Sequence, residues 1–188
     1  MDDSNLETKK LQQNTTVADS DELKLESHSK LAHRSIQSLS QLQSETRQLL
    51  ENATRTVQIY TRDLDPRVLN QRDIEHKLIQ FIKNSRSSKI QILVYDENQL
   101  RGKDHRLVFL AQRFTSFVEI RLIPKDYHEN HFSFYLIDQN ELIYRNNFER
   151  YQAEYAKLPY FLVKEKSKWF DSVWQMSPQA SFLRALHL

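Results

Sequence analysis

The hydrophobic pattern changes period several times along the chain. Residues 1–20 (MDDSNLETKKLQQNTTVADS) carry few apolar side chains and no period. Burial there cannot offset the entropy of ordering, so a disordered arm is expected. Over residues 21–53 the pattern becomes helical and free of glycine and proline. Leu31, Ser35, Leu39, Leu42, Thr46, Leu49 and Ala53 recur at spacings of three and four, which predicts an amphipathic helix leading into the domain, capped at Ser20–Asp21.

From residue 56 the period falls to two. Thr56-Val57-Gln58-Ile59-Tyr60-Thr61 reads as a strand, ended by Arg62-Asp63-Leu64-Asp65-Pro66. A helix follows over 73–84, through Ile74, Leu78, Phe81 and Ile82. Residues 89–95 (KIQILVY) form an apolar strand suited to burial on both faces. Another helix is expected over 99–114 and a strand over 118–123. Two closely spaced strands, 131–137 and 141–145, are joined by the turn Asp138-Gln139-Asn140. After Pro159 comes a helix over 163–176, whose Trp169, Phe170, Val173 and Trp174 read as core packing. Helices alternating with strands imply right-handed parallel crossovers, here in an α/β domain over 54–188. The expected architecture is a five-stranded mixed sheet with covering helices, the hairpin supplying the antiparallel pairing.

Composition narrows the chemistry. The chain has no cysteine, which excludes disulfides, thiolate metal sites and a cysteine nucleophile. Its one glycine, Gly102, closes the dinucleotide and P-loop readings, whose loops need several residues without a Cβ beside phosphate. No serine stands in a nucleophile-elbow context. Residues 1–30 hold seven acids and four bases, whereas the whole chain is +2. The domain is therefore mildly basic; nucleic acid is not excluded as a partner, nor is it demanded. No apolar run approaches the roughly 18 residues of a membrane span, and no signal-peptide core is present, so a cytoplasmic protein is expected.

The candidate chemistry lies on the fourth strand of the domain. It reads His131-Phe132-Ser133-Phe134-Tyr135-Leu136-Ile137-Asp138 and is followed by Tyr144-Arg145-Asn146-Asn147. In order of elements and position of this strand, residues 45–176 resemble one repeat of the phospholipase D-like fold. That family carries His-x-Lys-x4-Asp on its fourth strand, followed by a Gly-Ser-x-Asn turn. Here His131 and Asp138 keep the spacing, Ser133 stands at the lysine position, and the asparagine survives without the glycine. The Arg62–Pro66 segment together with the His-bearing strand also resembles a bacterial phospholipase D-like family with no assigned reaction.

The resemblance implies a reaction in which two such motifs meet across a pseudo-twofold or dimer axis. One histidine attacks phosphorus, the other protonates the leaving group, and the lysines stabilise charge on the phosphoryl oxygens. Along a strand His131 and Ser133 share a face, so the geometry is kept while the cation is lost. The expectation is a degenerate, non-catalytic binding or assembly module. The vestigial catalytic candidates are His131 and Asp138. A phosphate-containing or other anionic ligand would meet His131, Ser133, Asp138, Asn146, Asn147 and Asp63, and a twofold homodimer is expected. The alternatives are a phosphodiesterase or nuclease using His131, with a base such as one of Arg101, Lys103, His105 or Arg106 replacing the lysine, and a non-catalytic nucleic-acid-binding protein. No cofactor is expected. No metal site is expected either, because His128, Glu129 and His131 lack a third well-spaced ligand.

Overall fold

The computed structural model describes residues 33–95 and 104–180. The arm over 1–20, the first part of the expected helix, and Arg101 and Lys103 of the basic cluster lie outside these residues. The strands are β1 (His33–Ile36), β2 (Thr56–Thr61), β3 (Lys89–Val94), β4 (Val118–Leu122), β5 (Ser133–Ile137), β6 (Glu141–Arg145) and β7 (Ala153–Lys157). The helices are α1 (Leu39–Glu51), the short α2 (Pro66–Leu69), α3 (Arg72–Asn84), α4 (Arg106–Arg113) and α5 (Phe161–Met176).

All seven strands form one mixed sheet in the order β1-β7-β6-β5-β2-β3-β4. β2, β3 and β4 are parallel, as their helical crossovers require. The pairs from β2 through β5, β6 and β7 to β1 are antiparallel. The expected five strands are thus correct for the centre and two short at one edge. β7 went unread because Ala153-Glu154-Tyr155-Ala156-Lys157 is a weak alternation in a polar stretch. β1 corrects the expected helix over 21–53 at residues 33–36. Ile36, which is fully buried, lies off the helical stripe through Ser35. The helix begins only after Ser38, whose extended backbone and hydroxyl cap it at the Gln41 amide. β1 pairs with β7, tying this segment into the domain.

Both faces of the sheet are covered. Alternation sends Val57, Ile59, Ile92, Ile120, Tyr135 and Ile143 into a core with Leu42, Leu49, Leu78 and Leu110 of the helices. On the opposite face, Tyr60, Leu93, Phe134 and Leu142 pack against Val163, Phe170, Val173 and Trp174 of α5, the expected aromatic stripe. β4 is not left as a bare edge. Leu122 donates to the Pro178 carbonyl and Ala180 to that of Ile120, at 2.8 and 3.0 Å.

Candidate functional site: a buried polar cluster on the β5–β6 hairpin

The β5–β6 hairpin turns tightly through Asp138 and Gln139, both with positive φ, and its register sets Ser133 opposite Arg145. Arg145 therefore enters the same face as Ser133. Its Nε donates to Ser133 Oγ at 3.0 Å, and its Nη1 reaches the carbonyls of Phe148 and Arg150 at 3.4 and 3.5 Å. Its Nη2 pairs with Asp65 Oδ2, which also accepts from the Tyr135 hydroxyl. The ion pair is buried: the Arg145 and Asp65 side chains are 3% and 10% exposed.

Asp65 is aimed there by its loop. After β2, Leu64 and Asp65 take φ of 66° and 44°, a left-handed conformation that costs residues with a Cβ about 1–3 kcal/mol each. Asp65 N–H donates to Asp63 Oδ1 at 3.1 Å, and its carbonyl receives the Val68 and Leu69 amides of α2, which starts at Pro66. Burial pushes the Asp65 carboxyl above the usual carboxylate range, against the opposing pull of Arg145 and the Tyr135 hydroxyl. Burial, and then the neighbouring Asp65, raise Tyr135 far above its ordinary value, which keeps it a donor.

The remaining sequence-predicted residues are dispersed around this cluster. His131 precedes β5 and is exposed. Its carbonyl accepts the Phe148 amide at 2.8 Å, and its ring lies 5.8 Å from that of Phe148. Among the described residues no side chain hydrogen-bonds the His131 ring. Asp138 lies at the far end of β5, where both carboxylate oxygens are occupied. Oδ1 accepts the Arg55 and Thr56 amides at 2.8 and 2.7 Å; Oδ2 accepts the Thr54 amide and hydroxyl at 2.8 and 2.7 Å. Asn147 accepts the Glu149 amide in a local turn at 2.8 Å, and Asn146 faces a separate hollow beside Ser35 and Tyr144.

Asp63 lines a cleft of about 350 Å³ in front of the cluster, with Arg62, Asp65, Arg67, Phe148 and Tyr151. Its walls are internally matched. Arg62 lies 3.6 Å from Glu149 and over the Phe148 ring, and Arg67 donates to the Tyr151 hydroxyl at 2.7 Å. Of the basic cluster, His105 caps α4 through Nδ1 and Arg106 pairs with Glu75. Among the described residues no group of three His, Asp or Glu side chains is gathered to hold a metal ion, and no helix is long and apolar enough to cross a membrane.

Sequence reading missed Arg145 as a site residue; it weighed Asp65 with Asp63 at the carboxyl end of the first strand, where α/β ligand sites form, and kept only Asp63 in the ligand set. A signal for Arg145 was present: with the turn centred on Gln139, residue 145 falls opposite 133 and shares the inward side of β6 with Ile143.

The sequence profile of a domain of unknown function, DUF7931, matches residues 38–186. The chain belongs to this family. Its matched segment starts at the cap of α1 and includes β2 to β7 with α5. No curated protein matches the chain. Among solved structures, TrmBL2, an archaeal chromatin protein whose structure shows a mode of DNA binding, is similar at 13% identity and a TM-score of 0.59, over 94% of this chain and 68% of that one. NucT from Helicobacter pylori is similar at 14% identity and a TM-score of 0.56, over 79% of this chain and 98% of that one. Phosphatidylserine synthase from Haemophilus influenzae Rd KW20 gives 13% and 0.51, over 79% of this chain and 39% of that one. The last two are phospholipase D family members, and the fold is phospholipase D-like.

Proposed function

We propose that this domain is a non-catalytic, phospholipase D-like binding module, in which the residues at the positions of a phosphoryl-transfer site hold the fold together. The carrying observation is the commitment of Arg145. A cation does stand beside the lysine position, on the neighbouring strand, but it is buried, paired with Asp65 and bonded to Ser133. Charge already neutralised by a carboxylate cannot stabilise charge developing on a phosphoryl group. Loss of a single donor of that kind commonly costs about two to three powers of ten in rate. Among the described residues His131 also lacks a hydrogen-bonded side-chain partner to fix its tautomer, which a nucleophilic or acid–base histidine needs.

The catalytic alternative would need His131 of a second copy across a twofold axis. Among the described residues α5 packs on one sheet face and α1, α3 and α4 on the other, so the apolar faces of the sheet are covered within one copy. Turnover separates the readings. Wild-type protein and His131→Ala are expected to be indistinguishable from buffer on bis-nitrophenyl phosphate, phospholipid and DNA. Turnover that His131→Ala abolishes would overturn the proposal.

A second reading, nucleic-acid binding without catalysis, draws on the similarity to TrmBL2 over nearly the whole chain. Against it, several surface bases are matched with acids, Arg47 with Asp73, Lys77 with Glu51 and Arg106 with Glu75, which lowers the counterion release available to such binding. Steeply salt-dependent capture of duplex DNA would favour this second reading.

A further inference from the structure

At the end of β5 away from Ser133, and on the sheet face that α5 covers, lies a hollow of about 600 Å³. The β5–β6 turn contributes Gln139, the β7–α5 connection contributes Leu158 and Pro159, and α5 supplies the remaining wall. Lys164 and Lys168 stand four residues apart on that wall, hence one above the other, and both are exposed. Neither ammonium has an acidic partner among the described residues. Asp171 is close to Lys168 along the helix yet does not pair with it. Its two oxygens instead accept the side-chain amides of Gln58 and Gln139, each at 3.2 Å.

Ser167 is the second, independent observation. It lies between the two lysines in sequence, lines the hollow and is only 8% exposed, yet its hydroxyl has no hydrogen-bond partner among the described residues. The Ser167 hydroxyl is thus left open to the hollow, whereas a serine in a helix often bonds the carbonyl four residues back. Ser172 and Ser177, next along the chain, both do so, at 3.0 and 2.8 Å.

Two unmatched ammoniums and a free hydroxyl donor suit a compact anion with several acceptor oxygens. Lysine serves phosphate as a point charge, whereas the planar fork of arginine is the better match to a carboxylate. Leu158, 43% exposed at the rim, and Pro159 offer apolar surface next to that charge. We propose that this hollow binds a small organic phosphate monoester, with Lys164, Lys168 and Ser167 on the phosphate oxygens and the ester's apolar body against Leu158 and Pro159. The site is separate from the Arg145 cluster and does not depend on how that cluster is read.

The test is a titration of the full ¹⁵N-labelled chain with phenyl phosphate and, in a parallel arm, inorganic phosphate at constant ionic strength. Saturable shifts of the amides over 164–168 and of the Gln139 side chain are expected, with phenyl phosphate binding several-fold tighter than inorganic phosphate. The double variant Lys164→Gln/Lys168→Gln should weaken phenyl phosphate about ten-fold, since each partly exposed pair is worth roughly two- to five-fold. Ser167→Ala should weaken it about three- to ten-fold. No saturation at tens of millimolar, or a Kd unmoved by the double variant, would overturn the site. Equal affinity for both probes would overturn its assignment to an ester.

Discussion

Arg145→Met is expected to destabilise the domain by about 3–5 kcal/mol in urea titrations at neutral pH. Removing one member of a buried ion pair leaves the other charged and unmatched, and costs of this size are usual for that change. Here the survivor is Asp65, whose other side-chain donor among the described residues is Tyr135. The pH dependence follows from burial. In the wild-type protein burial already raises the Asp65 carboxyl above its unfolded value, and loss of the guanidinium raises it further. A carboxyl raised on folding favours the folded state below its unfolded pKa and loses that advantage as pH rises toward the folded one. The penalty of Arg145→Met should therefore be smaller near pH 4 than at pH 7. Adding Asp65→Asn to Arg145→Met should recover a large part of the loss, because the uncompensated charge is gone. A single-variant cost below about 1 kcal/mol, or one independent of pH, would show that the pair is not the anchor inferred here.

Asp138→Ala is expected to cost about 2–3 kcal/mol, because it strips acceptors from three consecutive backbone amides where β2 begins; hydrogen bonds to charged groups carry more than neutral ones. Partial burial acts to raise this carboxyl. The hydrogen bonds from Thr56, Thr54 and Arg55 prevail and hold it below the ordinary range. A carboxylate depressed on folding stabilises above its unfolded pKa and loses that contribution as pH falls through the folded value. The gap between wild type and Asp138→Ala should hold at pH 7 and close as pH drops below about 4. If Asp138 served a ligand instead, its removal would leave the urea midpoint unchanged.

The central part of the fold was legible because its signals are local. The period-two run of β2, the apolar run of β3, the proline and turn residues that end the strands, and the apolar stripes of α3 and α5 each specify an element without reference to the rest. β1 and β7 were not legible because each is short and weakly patterned. Their pairing is long-range, joining His33 to Ala156, so nothing near either segment announces it. For the site, the position of His131 and Ser133 at the start of the fourth strand of the domain was readable. What Asp138 does was only half readable: the turn was expected, but the amides it holds lie 82 to 84 residues earlier. Asp65 needed the backbone to be seen, since a left-handed aspartate before proline is what turns its carboxylate inward. Arg145 could have been found from hairpin register alone, had a charged residue on the inward side of β6 been asked for its partner.

The central claim is that the Arg145 guanidinium is closed off by Asp65 and Ser133 instead of being open to a phosphoryl group. The most direct measurement is the Arg145 Nε–H resonance of ¹⁵N-labelled protein during titration with orthovanadate, which mimics the charge and geometry of the phosphoryl-transfer transition state. A buried, fully bonded guanidinium predicts a resolved resonance that exchanges slowly with water and does not move as vanadate is added. A saturable shift of that resonance, lost in His131→Ala, would show an open phosphoryl site and contradict the account.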